Sequence, residues 1–364
     1  MITISLCMIV KNEEMILSRC LDSIKDAVDE IVIVDTGSSD RTKEIAATYT
    51  DKVFSFAWIQ DFSAARNFAY SKATMDYQMW LDADDVFPED SRKKLLVLKE
   101  TLPQDVDMVT MRYHTHFDEQ GNPILTSTRE RLTRRKKGFR WLDPVHECIP
   151  LSGKIFYSDI TIWHKKPPST EVSTRNLNIY QALEESGHTF TPRQQYYFAR
   201  ELKDHGNFER SAKYFQAFLD GGLGWIEDNI SSCLNLARCH QALGQEEACL
   251  SSLLRSFRYD APRPEACCEL GYYNTRQGNY AAALSWFLTA ITLPKFSELG
   301  FVLSDYGEFI PNIEACVCCY TLGDYQRAWD YNEQAAQYKP NHPAIVQNRR
   351  VLREKLDSHS ISAV

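Results

Sequence analysis

Over roughly its first 165 residues the chain alternates between two hydrophobic periods. Ile2–Val10, Glu30–Asp35, Lys52–Phe56 and Tyr77–Leu81 are short runs rich in β-branched and aromatic residues, and they predict strands. Between them Met15–Lys25, Arg41–Tyr49 and Ser63–Ala73 carry apolar residues at helical spacing. Strands that alternate with helices of about ten residues imply right-handed crossovers and an α/β domain with a mostly parallel sheet covered on both faces. Ligands of such sheets bind beyond the carboxyl ends of the strands, so the residues that follow each run carry the functional information. From Val106 to His164 the pattern becomes less regular β-structure, closing with the strand Ile160–His164.

From Pro192 onward strand signals stop and a repeat takes over. Its turn glycines are Gly206, Gly244, Gly278 and Gly323, at intervals of 38, 34 and 45 residues. The 34-residue interval is the period of tetratricopeptide repeats, and the longest one accommodates an insertion around Lys295 to Ser304. In the clearest copy Ala283 and Ala290 let paired helices approach while Tyr280 and Phe287 fill the space between them. Repeats of this kind stack into a superhelix used for extended peptides or for self-association, which makes a homodimer through the repeats one expected arrangement. The organisation read from these patterns is an α/β domain over 1–168, a connecting helix within 169–190 (Thr170 to Gly187), helical repeats over 191–355 and a flexible tail at 356–364.

Composition narrows the classes. A length of 364 residues favours two domains, and 44% hydrophobic with 25% charged residues is globular. A net charge of -8 argues against nucleic acid or an anionic membrane as partner. The apolar start, Ile2 to Val10, has no cationic region before it and falls short of the roughly 20 residues of a membrane span, so a cytoplasmic location is expected. Of eleven cysteines eight follow residue 230, without the paired CxxC motifs of a zinc site; Cys316, Cys318 and Cys319 read as small buried hydrophobes.

Three strand ends hold the candidate chemistry: Lys11-Asn12-Glu13, Asp35 to Asp40, and Asp82-Ala83-Asp84-Asp85 after the fourth strand. Carboxylates at the end of a buried strand are costly without a partner, and a cation is one. Alternation puts Asp82 and Asp84 on one side, as two hard oxygen ligands for a divalent ion. The competing reading is a solvated cap for the helix after Pro88. Asp35 can accept a hydrogen bond from a ribose hydroxyl or a base N–H, while Gly37 to Asp40 make a turn and a helix cap. There is no GxGxxG and no P-loop lysine, so a bound nucleotide would need its phosphates neutralised by a cation on Asp82 and Asp84. In the basic run Arg131, Arg134, Arg135, Lys136 and Lys137 read as a solvated face, with one arginine turned inward to a phosphate as the exception. A lone histidine at a strand end, such as His164, is more often structural than a ligand; as a ligand it would complete an octahedral site begun by Asp84.

In this order, Lys11-Asn12-Glu13-Glu14, Val34 to Asp40, Asp61-Phe62-Ser63-Ala64-Ala65-Arg66-Asn67, Leu81 to Asp85 and Val145-His146-Glu147 resemble the GT-A fold of family 2 glycosyltransferases. The resemblance implies that the backbone around Ile9, Lys11 and Asn12, with Asp35 and Arg66, holds the nucleotide; Asn67, Asp82, Ala83 and Arg134 join that donor set. Asp82 and Asp84 would be the DxD motif, Asp84 the direct ligand, and His164 a further ligand of Mn2+ or Mg2+. It implies inverting transfer from a nucleotide-diphosphate sugar, UDP-Glc or UDP-GlcNAc, to a peptide, protein or glycan acceptor. Glu147 is the first choice of base, Asp85 the second and His146 the third. With its helical tail the chain is similar to S-glycosyltransferases of bacteriocin precursor peptides and to some lipopolysaccharide-core transferases. It departs from many members at Thr36, where they carry a second acid. Two rival readings are a nucleotidyltransferase, which would need a glycine-rich basic loop after the first strand, and a non-catalytic repeat scaffold with a vestigial transferase domain.

Overall fold

The computed structural model describes residues 1–118, 121–166, 173–294 and 302–362. The chain divides into two compact units, the first running from Met1 to His188 and the second beginning at Thr189.

In the first unit the elements are β1 (Ile4–Val10), α1 (Leu17–Ile24), β2 (Glu30–Asp35), α2 (Thr42–Ala47), β3 (Val53–Ser55), α3 (Phe62–Lys72), β4 (Tyr77–Trp80), β5 (Asp85–Val86), α4 (Glu89–Thr101), β6 (Met108–Phe117), β7 (Pro123–Arg134), β8 (Ile155–His164) and α5 (Arg175–Glu185). The sheet order is β3-β2-β1-β4-β7-β6-β8-β5. The first four strands are parallel, β7 runs antiparallel to β4 and β6, and β5 is antiparallel to β8. This is the mixed, mostly parallel α/β architecture that the alternating periods imply.

Period 2 shows within the buried strands. Ile4, Leu6 and Met8 of β1 pack with Leu17, Leu21 and Ile24 of α1 and with Leu95 of α4 on one face, while Cys7 joins Val32, Val34, Ala69, Tyr70, Trp80 and Trp141 on the other. Both faces are covered, so alternation in the sequence is apolar against apolar. At the amino edge of the parallel strands Glu30 is buried, accepting from the Ser5 and Thr74 hydroxyls, the Thr74 N–H and Lys52. Burial would raise its pKa, but the Lys52 ammonium and these hydrogen bonds outweigh that and hold the carboxyl down at about 2.

The second unit is helical: α6 (Pro192–Asp204), α7 (Phe208–Gly221), α8 (Ile226–Ala242), α9 (Glu246–Arg255), α10 (Pro264–Arg276), α11 (Tyr280–Thr292), α12 (Ser304–Gly307), α13 (Phe309–Thr321), α14 (Tyr325–Tyr338) and α15 (Pro343–Ser362). Its turns repeat one device. Gly206, Gly244, Gly278 and Gly323 all have φ between 71° and 83°, and the residue after each donates to a carbonyl five positions back. In three of the four that next residue, Asn207, Asn279 or Asp324, also caps the following helix with its side-chain oxygen. Ala283, Phe287 and Ala290 have no exposed surface and Phe287 lies against Gly271, so they are core positions. Cys316, Cys318 and Cys319 are buried in the same core with Cys267 and Cys268.

Part of the insertion expected at Lys295 to Ser304 (295–301) and the start of the expected connecting helix (170–172) lie outside the described residues. The last helix continues through residues 356–362 of the stretch read as a tail, and 363–364 are outside the described residues. Among the described residues no helix is long and apolar enough to cross a membrane.

Candidate functional site

The loops after β1 and β2 lock each other. Asn12 adopts φ 55°, which turns its N–H to Ser38 Oγ (2.9 Å) and its Oδ1 to the Ser39 N–H (2.8 Å). Gly37, at φ 109°, makes the turn that lets Asp35 Oδ1 accept from the N–H groups of Gly37 and Ser38, each at 3.0 Å. Burial works against ionisation of Asp35, but the Ser38 hydroxyl, these N–H groups and Lys43 Nζ at 3.2 Å outweigh it and hold the carboxyl below its ordinary range. Thr36 turns its hydroxyl to the Val10 carbonyl at 3.2 Å, so this side chain faces the sheet. Lys11 is exposed; Ile9 and Ala83 pack their side chains into the two apolar layers, and Ile9 lies within β1 in register with Val34 of β2.

After β4 the burial alternates: Leu81, Ala83 and Asp85 are buried, whereas Asp82 and Asp84 keep partial exposure on a common side. The acids are not a cap, because Pro88 precedes α4 and that helix start receives no side-chain hydrogen bond. Asp61 caps α3 through the Ala64 N–H (2.9 Å), which sets the phase that directs Arg66 inward. Arg66 lies with its guanidinium carbon 5.0 Å from the Trp80 ring centre and 4.8 Å from that of Trp141. From there Nη2 donates to Asp82 Oδ1 at 2.7 Å and Nε to Glu147 Oε1 at 2.5 Å. Burial opposes the Asp82 charge, yet Arg66 outweighs it and lowers the carboxyl pKa. Asn67 was expected on the donor; both atoms of its amide instead clamp the Trp141 backbone, at 2.9 and 3.0 Å, which anchors the loop that carries Glu147.

The strand pair β5–β8 sets Asp85 opposite His164. His164 Nδ1 lies 3.2 Å from Asp84 Oδ1 and 3.4 Å from Asp85 Oδ1, and Asp84, Asp85 and His164 form a group able to hold a metal ion among the described residues, with ligand atoms within 4.8 Å of one another. The expected trio was Asp82, Asp84 and His164; the side chain that lies with Asp84 and His164 is that of Asp85, while Asp82 gives one oxygen to Arg66. Asp85 is also corrected as a base: it has no exposed surface, Oδ1 accepts from the Tyr113 hydroxyl (2.7 Å) and Oδ2 from Arg131 Nη1 (3.1 Å), so no acceptor can reach it. Burial would lower the His164 pKa, but Asp84 and Asp85 outweigh it and raise it to about 10. This position therefore favours positive charge, and a set of hard carboxylate oxygens with one imidazole suits Mn2+ or Mg2+.

The inward arginine of the basic run is Arg131, not Arg134. Arg131 is fully buried with its guanidinium carbon 3.6 Å from the Trp80 ring centre and 4.3 Å from that of Tyr113. Arg134 pairs in register with Tyr77, the first residue of β4, and donates to the Tyr77 hydroxyl (2.7 Å) and the Val106 carbonyl (2.9 Å). That is the sheet edge away from Asp82, five residues further along. His146 has φ 53° and stacks at 6.4 Å on Tyr180, whose hydroxyl reaches the Val145 carbonyl.

Two residues of this edge, Arg131 and Tyr113, were not read as site residues, and Glu13 was read only as part of a strand end. Arg131 was hidden in a run of basic residues, although Glu130, Leu132 and Thr133 around it belong to a strand buried on both faces. Tyr113 carried no signal at all. Glu13 had one, its place directly after β1; burial first, then the charges of Asp84, Asp82 and Asp40, push its carboxyl up to about 7 against the pull of Arg175.

Comparison with known proteins gives two matches along the chain: glycosyl transferase family 2 over residues 5–157 and a tetratricopeptide repeat over 264–295. A TPR repeat-containing protein of Synechococcus elongatus is 28% identical over 302 residues, 81% of this chain and 67% of that protein. The SPbeta prophage-derived glycosyltransferase SunS of Bacillus subtilis is 26% identical over 215 residues, 55% of this chain and 49% of its own length. An uncharacterized glycosyltransferase of Rickettsia typhi is 31% identical over 155 residues, 43% of this chain and 48% of that protein. The chain thus spans about half the length of the last two.

Proposed function

We propose that this chain, which matches glycosyl transferase family 2 over residues 5–157 and a tetratricopeptide repeat over 264–295, transfers a sugar, with inversion, from a nucleotide-diphosphate donor to a peptide, protein or glycan acceptor. One observation carries this reading: Asp35, Arg66, Asp82, Asp84, Glu147 and His164 converge on a single carboxyl edge of the sheet, linked by the Asp82–Arg66–Glu147 bridge. Asp35 and the interlocked Asn12–Ser39 loops suit a nucleoside. Asp84 and His164, backed by Asp85, would hold Mn2+ or Mg2+, which supplies Lewis-acid stabilisation of the departing diphosphate.

In the proposed step the acceptor's nucleophile attacks the anomeric carbon from the face opposite the diphosphate. The carbon–oxygen bond to the diphosphate breaks, its electron pair stays on that oxygen, and the acceptor proton passes to Glu147. Arg66 orients Glu147 through Nε while its Nη2 holds Asp82, so one buried guanidinium fixes the acceptor and donor ends relative to each other. A cysteine acceptor, with a thiol pKa of about 8.5, needs less help from the base than a hydroxyl. UDP-Glc and UDP-GlcNAc are the donors to try first, and the repeats are a place for an acceptor or a second copy to bind.

The test is to incubate the full chain with Mn2+ and a panel of nucleotide sugars, following nucleotide release and the melting temperature. One donor should raise the melting temperature and be turned over, and Asp84→Ala should abolish turnover. No response to any nucleotide sugar, with or without Mn2+ or Mg2+, would sink the proposal.

A further inference from the structure

Around His164 Nδ1 stand three oxygens: Tyr113 Oη at 2.8 Å, Asp84 Oδ1 at 3.2 Å and Asp85 Oδ1 at 3.4 Å. The carboxylates can only accept. The tyrosine has one proton, and it is committed to Asp85 Oδ1 at 2.7 Å. Asp85 is kept as the acceptor from its other side, where Oδ2 takes the Asp82 N–H (3.0 Å) and Arg131 Nη1 (3.1 Å). With Asp84 and Asp85 ionised each neighbour of Nδ1 is therefore an acceptor, and an arrangement that satisfies them all runs His164 Nδ1–H to Tyr113 Oη–H to Asp85.

We infer that Tyr113 is a positioning residue that fixes the proton of His164 on Nδ1 and so leaves Nε2 as the nitrogen that ligates a divalent cation. Asp85 anchors this relay and Arg131 holds Asp85; neither needs to touch the metal. A ligating imidazole needs its second nitrogen held by an outer hydrogen bond, and losing such a partner ordinarily weakens metal binding about 10- to 100-fold. The relay also accounts for a phenol buried between the Arg131 guanidinium and the His164 ring, whose centre is 5.7 Å from that of Tyr113. The inference rests on the metal-site reading of Asp84 and His164.

Tyr113→Phe removes the hydroxyl and keeps the ring. The full-length wild type, Tyr113→Phe and Asp84→Ala are titrated with Mn2+ in the presence of UDP, with free Mn2+ read by electron paramagnetic resonance. In parallel, 15N-histidine NMR of the wild type with Mg2+ and UDP, using His164→Gln to assign the signal, reports which His164 nitrogen carries the proton. The expected results are a 10- to 100-fold weaker Mn2+ affinity in Tyr113→Phe and a proton on Nδ1 in the wild type. Wild-type affinity in Tyr113→Phe, or a His164 protonated on Nε2, overturns the inference while Asp84→Ala still loses Mn2+. If Asp84→Ala binds Mn2+ like the wild type, or the wild type binds none, the metal site itself falls and the inference with it. Because the NMR measurement is made on the wild type, it stands even where Tyr113→Phe folds poorly.

Discussion

Arg131→Met tests the Arg131–Asp85 pair as the anchor of this sheet edge. Both side chains are fully buried and 3.1 Å apart, and Arg131 also donates to the Trp80 carbonyl at 3.2 Å. Methionine fills much of the space between the Trp80 and Tyr113 rings but leaves the Asp85 carboxylate without its guanidinium, facing the Tyr113 hydroxyl, the Asp82 N–H and, at 3.4 Å, the His164 ring. Stranding one member of a buried pair costs about 3–5 kcal/mol, so opening of the first unit should become roughly two to nearly four orders of magnitude more frequent. A chain of two units does not melt as one two-state system, so the readout is hydrogen exchange of the β1 and β4 amides, which report global opening of this unit. Arg131→Met combined with Asp85→Asn removes both charges and should recover roughly 1–3 kcal/mol of the loss. A single variant that costs under about 1 kcal/mol, or a double variant whose losses simply add, would refute the assignment of a mutually dependent buried pair.

Three further outcomes are expected. Glu147→Gln should lower transfer to a hydroxyl acceptor by about 10²- to 10⁴-fold and to a thiol by less, with donor binding retained; normal turnover would remove Glu147 as base. Glu30, held at about 2 against an ordinary 4.5, contributes stability that is fully present above pH 4.5 and is lost as the pH falls toward 2, worth up to about 3 kcal/mol. Unfolding of wild type and Glu30→Gln followed from pH 6 downward should show the gap between them closing below about 4.5, and a gap independent of pH would contradict the linkage. Gly271→Ala would set a methyl 2.6 Å from the buried Phe287 ring, which Tyr272 backs at 5.5 Å, and should cost about 1–3 kcal/mol, read as faster exchange in α10 and α11. Unchanged protection there would mean that the ring has room to move.

Much of this protein is written locally. The apolar runs place β1 to β4 within a few residues, and the glycines at 206, 244, 278 and 323 mark turns that only a left-handed φ can make, because both signals depend on neighbours in the chain. Strand ends at a carboxyl edge follow from the parallel pattern, which is why Asp35, Asp82 and Asp84 could be named from spacing. What each charged side chain does there could not be named, because its partners come from remote segments. Arg66 meets Glu147 across 81 residues and Asp85 meets Arg131 across 46 and Tyr113 across 28. These long-range pairings turned Asp85 from a free base into a buried anchor, exchanged Arg134 for Arg131 as the inward arginine, and gave Asn67 to the loop of Trp141. A sequence fixes which groups are charged and where the chain turns; only the packed sheet sets the distances and the loss of water that decide whether a carboxylate takes a proton, a guanidinium or a metal ion.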